Sequence, residues 1–199
     1  MSSSSARPSE RRSMILEAAT RVLSQHGLRG LTHRAVDREA GVPQGTTSYH
    51  ASTRHALLEL VVEHLVVHSA LHIEAGNSLI EFAEQLSPPA GVDELIDPMS
   101  EIIETLASHA DTMRARYALL VGLEPGELHT ALTTESLGSQ VLVPAATKAF
   151  TKLGVTDPER QAKDLVDISD ALIWQRTTMG TNTDIRAILR RYLVGVLAA

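Results

Sequence analysis

Cysteine is absent from the chain. That excludes a disulfide framework, a thiolate zinc site and a thiol nucleophile, and it fits a reducing compartment. Aromatic residues are scarce at 3%, with one Trp, three Tyr and two Phe, which makes a stacking cage around a planar ligand hard to build and favours a pocket lined by Leu, Val, Ile and Met. No run approaches the ~18 apolar residues of a membrane span. The opening MSSSSARPSERR also lacks the apolar stretch of a secretory signal. The expectation is a cytoplasmic protein with no membrane partner. There is no phosphate-cradling glycine loop, no Gly-x-Ser-x-Gly elbow and no His-Glu-x-x-His pair, so neither an enzyme nor a cofactor is expected.

What is present is an ordinary globular composition, 43% apolar and 21% charged over 199 residues, enough to bury a core without covalent staples. The net charge of −6 is unevenly spread. Residues 1–55 hold eight Arg against four acids, whereas the remainder holds ten Lys or Arg against twenty acids. A basic head on an acidic body suggests that the head faces a polyanion.

Polar residues recur at helical rather than alternating intervals, as in LELVVEHLVVHSAL, so the spacing predicts an all-α protein. A first helix from Pro8 or Ser9 to His26 places Ile15, Ala18, Ala19, Val22 and Leu23 on one face and stops at Gly27. A second follows from Thr32, as N-cap, to Ala40 before Gly41, and a third of about two turns follows the GVPQG turn. A long fourth helix is expected from Thr53 to at least Ile73, weakened at Gly76 and Asn77 and resuming toward Leu86, before the SPPAG break. Further helices are expected over 92–108, 111–123, 133–153, 157–179 and 184–197. Pro98 and Pro144 fall inside two of these, and EPGE marks a turn at 124–127.

Two short helices joined by a glycine-bearing turn, the second polar and set in the basic region, form a helix-turn-helix pattern. A helix in the major groove must show donors and acceptors to base edges while its flanks meet phosphates. Gln44, Thr46 and Ser48 suit the bases, Gly45 permits close backbone approach, and Tyr49, His50 and Arg54 suit the backbone. The plainer readings are that Thr32 only caps its helix and that Tyr49 is partly core. Arg7, Arg11 and Arg12 belong to a solvated tail or to an arm along the DNA.

The run LTHRAVDREAGVPQGTTSYHASTRHALLE, with the amphipathic helix and HGLRGLT turn before it, resembles the DNA-binding domain of TetR-type transcriptional regulators. The matching positions are Thr32, Ala40 to Val42, Gly45 and Thr46, Tyr49 and His50, Arg54, and Leu57 and Leu58. The resemblance implies a mobile arm over 1–8, a helix-turn-helix domain over 9–53 and a helical ligand-binding and dimerisation domain over 54–199. It places Arg34, Gln44, Gly45, Thr46 and Ser48 at base-reading positions, and Thr32, Tyr49, His50 and Arg54 at phosphate-contacting ones. Two positions depart from the pattern. Ala51 stands where a large apolar residue is usual and Thr47 where an apolar one is, which implies a third helix packed less firmly on the first.

The resemblance further implies a homodimer on double-stranded operator DNA, acting as a repressor released from a palindromic operator by a small-molecule effector. The last two helices are the expected dimer surface, through Leu165, Ile168, Leu172 and Met179 and through Ile185, Ile188, Leu189, Tyr192, Leu193 and Val196; the same residues also suit an internal core. Phe82, Met99, Met113, Tyr117 and Trp174 are candidate effector-lining residues, although residues of these types are more often plain core. Arg116 or Arg176 would meet an anionic group or form a salt bridge. The alternatives are a metal-responsive regulator using His64, His68 and His72, spaced by one turn, and a non-regulatory helical dimer or enzyme. A polar stripe on an otherwise apolar helix is the plainer explanation of those histidines, since no Cys and no obvious carboxylate completes a site, and a solvated face explains Asp164, Asp167 and Asp170.

Overall fold

The computed structural model describes residues 8–67, 70–88, 91–134 and 138–198, without the side chains of residues 8, 67, 70–76, 134, 138 and 139. Among the described residues every regular element is helical. The chain divides into two compact units, one of residues 1–68 with 114–132 and the other of 69–113 with 133–199.

The first unit begins with α1 (Pro8–Gly30), which is interrupted at Gly27, where φ is 62°. The left-handed backbone that glycine tolerates stops the amphipathic stretch where the sequence places its end. α2 (His33–Ala40) is capped by Thr32, whose hydroxyl accepts from the Ala35 amide, and is closed by Gly41 in the left-handed conformation. α3 (Thr46–His50) is five residues long, shorter than the two turns expected, and α4 spans Arg54–Val67. The Ile15, Ala18, Ala19, Val22 and Leu23 face of α1 packs with Leu31, Val36 and Ala51 and with Leu57, Leu58, Val61, Val62 and Leu65 of α4. Ala115 and Leu119 of α7 (Ala110–Gly122) and Leu132 of α8 (Glu127–Thr134) complete this core. The compact unit that holds residues 9–53 therefore also includes α4 and residues 114–132.

The second unit contains α5 (Ala70–Gln85), α6 (Val92–Ser108), α9 (Val143–Lys152), α10 (Pro158–Trp174) and α11 (Ile185–Leu197). A π-helical turn over Gly138–Leu142 precedes α9, and another over Gln175–Met179 extends α10. α6 buries Leu95, Ile96, Met99, Ile102, Ile103 and Leu106, and it packs against α10 and α11. α9 lies against α10 and α5, with Phe150 1% exposed. Asp184 caps α11 by accepting from the Ala187 amide. The Tyr192 hydroxyl donates to the Gln161 carbonyl at 2.7 Å, tying α11 to α10. Burial, and then the Asp164 charge, push its phenol up to about 12.

Several expectations are corrected. α5 continues through Gly76 and Asn77 instead of weakening there, since one glycine costs a helix only about 1 kcal/mol. The single helix expected over 133–153 is not seen: α8 begins at Glu127, directly after the EPGE turn, and α9 begins at Val143 with Pro144 in its first turn, where the missing amide would be unpaired anyway. Pro98 lies inside α6 without ending it. Six of the residues assigned to a dimer surface, Leu165, Leu172, Ile185, Leu189, Leu193 and Val196, are buried in the second unit's own core. Of the residues assigned there Met179 does face outward, and the other outward apolar and small residues on these elements include Ala171, Trp174, Val194 and Gly195. No described helix is long and apolar enough to cross a membrane.

Phe150→Ala is expected to cost about 3–5 kcal/mol, because a ring that size leaves a cavity among close-packed neighbours. Equilibrium urea unfolding checks it, and a loss under about 1 kcal/mol would show that the site is loosely packed.

Candidate nucleic-acid interface

The α2–α3 pair is held by side chains of α2 one helical turn apart. Asp37 is 3% exposed. Its Oδ2 accepts from the Gly45 amide at 2.7 Å and its Oδ1 from the Thr47 amide at 2.8 Å. These are amides at the start of α3 that have no partner within the helix, and the carboxylate also complements the positive end of the helix dipole. At the other end of α3, the His33 Nε2 lies 2.7 Å from the Ala51 carbonyl oxygen. One four-residue step along α2 therefore holds both ends of α3. Burial by itself raises the Asp37 carboxyl, but hydrogen bonds from Thr47 and Gly45 and the neighbouring His33 outweigh it, so it lies below its ordinary value.

This arrangement leaves the polar residues outward. Gln44, Ser48 and Tyr49 are exposed, Tyr49 at 87%. With Thr32, His33, Arg34, Asp37 and Gly45, Gln44 and Ser48 line a cleft of about 430 Å³ between the two helices. Gly45 has φ 96°, a conformation that side chains resist, so the turn into α3 requires glycine there. The Thr46 hydroxyl donates to the Pro43 carbonyl at 2.6 Å, closing that turn. Tyr49 stands edge-on to the half-buried His50, with ring centroids 5.3 Å apart. Exposure of Tyr49 rules out the reading of it as core.

Arg54, at the start of α4, donates to the Leu28 carbonyl at 2.7 Å. The sequence reading did not anticipate that tie, which braces the end of α1 against the start of α4. The exposed Arg34 has no ion pair among the described residues, whereas Arg12 pairs with Glu63 and Arg21 with Glu39. Thr47 and Ala51 are both buried. Polar ties from Asp37 and His33 thus hold α3 where the small residues supply little apolar area.

None of the candidate effector residues lines this cleft. Met99 and Met113 are buried, Phe82 and Tyr117 half-buried, and Trp174 is 41% exposed. Arg116 donates to the Leu132 carbonyl and Arg176 pairs with Glu104. The histidine stripe falls partly outside the described residues, since these do not include His68 or the side chain of His72. Asp37 and His33 are the residues that sequence reasoning missed. The available signal was a carboxylate on the inward side of a helix, eight to ten residues before a Gly-Thr turn with bare amides.

Two family models match the chain. Residues 15–61 match that of bacterial regulatory proteins of the tetR family, and residues 90–199, more than half of the chain, match that of the tetracyclin repressor-like C-terminal domain. Among solved structures, a TetR-family member from Streptomyces coelicolor A3 is 25% identical, with a TM-score of 0.65 over 92% of this chain and 98% of that one. A regulator of the same family from Mesorhizobium loti MAFF303099 is 18% identical, with a TM-score of 0.70 over 97% and 96%. The multidrug binding protein EbrR, solved in complex with imidazole, is 26% identical, with a TM-score of 0.53 over 92% and 94%. No curated protein matches the chain.

Asp37→Asn keeps the shape but turns a donor toward one of the two amides, and it is expected to lower stability at pH 7 by about 2 kcal/mol. A carboxyl held below its unfolded value of about 3.9 contributes stability that is complete above that pH and is lost as pH falls through the folded value. The variant should therefore lose less stability on acidification in that window. Parallel acid-unfolding curves for the two proteins would show that Asp37 does not carry this term.

Proposed function

The chain belongs to the TetR family of bacterial regulatory proteins, and on that premise we propose that it is a repressor of its target promoter, released from a palindromic operator by a small-molecule effector. Family membership makes it a DNA-binding transcriptional regulator and not an enzyme. The observation that carries the DNA reading is α3 itself, a short helix fixed at both ends by α2 with Gln44, Ser48 and Tyr49 turned outward.

In this reading the helix-turn-helix part comprises residues 9–53, preceded by an arm over 1–8, and residues 54–199 bind the effector and dimerise. Gln44, Thr46 and Ser48 meet base edges, Arg34 adds a contact from α2, and Gly45 lets the backbone come close. Thr32, Tyr49, His50 and Arg54 meet phosphates, which position the helix without reading sequence. The dimer forms through the last two helices, with Ala171, Trp174, Met179, Val194 and Gly195 as its apolar and small contacts. Their exposure on a single protomer supports that assignment. Two-fold symmetry then sets two α3 helices about one turn of DNA apart.

The effector acts by binding better to a conformation whose α3 spacing no longer matches the half-sites. Moving such an equilibrium from 1:99 to 99:1 needs about 5.5 kcal/mol of differential affinity, within reach of a buried small ligand. Phe82, Met99, Met113, Tyr117 and Trp174 are the proposed contacts. The likeness to EbrR, described as a multidrug binding protein, supports a small organic molecule as effector.

Electrophoretic shift with the promoter beside its own gene should show specific binding that weakens steeply with salt; no preference over random DNA counts against the reading. Gln44→Ala is expected to relax preference at one base position, by about 1–3 kcal/mol of discrimination, whereas Arg54→Ala should weaken all sequences alike and lower the salt slope by about one. The reverse pattern would reassign the two residues. Val194→Glu should yield a helical monomer in sedimentation, and an intact dimer would move the interface elsewhere.

A further inference from the structure

We propose that Asp167 of α10 and Arg191 of α11 select the dimer partner, the Asp167 of one copy of this chain pairing with the Arg191 of the other across the two-fold axis. The inference rests on the dimer through the last two helices proposed above and adds what decides which chain is accepted.

The C-terminal arginines divide by their partners. Arg186 and Arg190 bridge to Asp97 and Asp93 of α6, Arg176 to Glu104, and Arg160 to Asp164 within α10. Arg191 is exposed and has no ion pair among the described residues. One residue turns a helix by about 100°, so Arg191 leaves the α6 side that Arg190 serves. It shares the outward stripe of α11 with Val194 and Gly195, three and four residues on. On α10, Asp167 is exposed and has no ion pair among the described residues either, although Lys163 lies one turn before it. Ala171 and Trp174 follow Asp167 at the four- and seven-residue spacings of one helix face. Each stripe of the proposed interface therefore sets small and apolar residues beside an uncommitted charge, negative on α10 and positive on α11.

The register of the two helices suits a reciprocal contact. Arg176 donates to the Thr183 carbonyl at 3.2 Å, and the Tyr192 hydroxyl donates to the Gln161 carbonyl at 2.7 Å. The chain thus doubles back, with α11 antiparallel to α10 and Arg191 near the level of Gln161. Asp167 is six residues further along α10, about 9 Å at the helical rise. A two-fold axis across the helices turns such a pair end for end. With the axis at the level of Asp164, within a turn of the middle of α10, each Asp167 comes level with the other copy's Arg191. The contact forms twice, as an isologous interface requires. Exposed charges of this kind contribute more to the choice of partner than to strength. A related chain that lacks either charge sets an unmatched or like charge against this face.

Sedimentation equilibrium of the full chain tests the pairing. Asp167→Arg and Arg191→Asp each place two like-charge contacts across the axis, and each should raise the dimer Kd by about tenfold. Mixed in equal amounts, the two variants should associate with a Kd within about threefold of the parent's, because both contacts in the mixed dimer are again opposite in sign. A loss that came from damaged packing would not be repaired by mixing. Single variants that dimerise as the parent does, or a mixture as weak as its components, would overturn the pairing and leave the dimer standing. A parent chain that sediments as a monomer would overturn the dimer reading itself.

Discussion

The carboxylate of Asp37 on the bare amides of Gly45 and Thr47 is the contact on which the placement of α3 on α2 depends. A helix of five residues cannot hold itself together in water, because nucleation costs more than so few hydrogen bonds return. α3 therefore exists because α2 supplies its N-terminal acceptor and, through His33, a partner for the Ala51 carbonyl. Both ties come from one rigid element. Any tilt of α3 must break at least one of them, which fixes the direction in which Gln44 and Ser48 point.

Much of this was legible in the sequence, for local reasons. Thr32 and Gly41 bound α2 because a hydroxyl cap and a left-handed glycine are short-range requirements. The apolar spacing of α1 identified the face that is buried. What failed needed information from elsewhere in the chain. Nothing in the local sequence gives Asp37 a role, because the amides it meets lie eight and ten residues further on. Leu165, Leu172, Leu189 and Leu193 looked available for a partner because periodicity reveals an apolar face without revealing what covers it. In the fold, the second unit's own helices cover them, and a second, less apolar face around Trp174 and Val194 is left outward. The start of α8 at Glu127 was hidden because its eight residues follow a proline-glycine turn and carry only a short apolar pattern.

Part of the acidic body's charge is matched locally along α6, although the excess of acids over bases is unchanged by the pairing. α6 aligns Asp93, Asp97 and Glu104 with Arg190, Arg186 and Arg176 of the C-terminal elements. Exposed pairs of this kind add roughly 0–1 kcal/mol each. Their role is more to set the register between α6 and α11 than to stabilise the unit, whose burial comes from Ile96, Ile103, Leu189 and Leu193. Glu101, on the same helix, has no place in this ladder.

The same pairing logic decides which arginines of the basic head can face a polyanion. Arg12 and Arg21 are committed to Glu63 and Glu39, and Arg54 is partly committed to the Leu28 carbonyl. Arg34 is exposed, without an ion pair among the described residues, and lines the same cleft as Gln44, Gly45 and Ser48. Moving it toward a phosphate or a base edge breaks no ion pair, whereas Arg54 must keep or exchange a backbone bond. An uncommitted cation beside a fixed helix is the cheaper source of both attraction and register. The net charge of −6 is therefore a poor guide to this surface, because the field at α2 and α3 is set by which local charges are already neutralised.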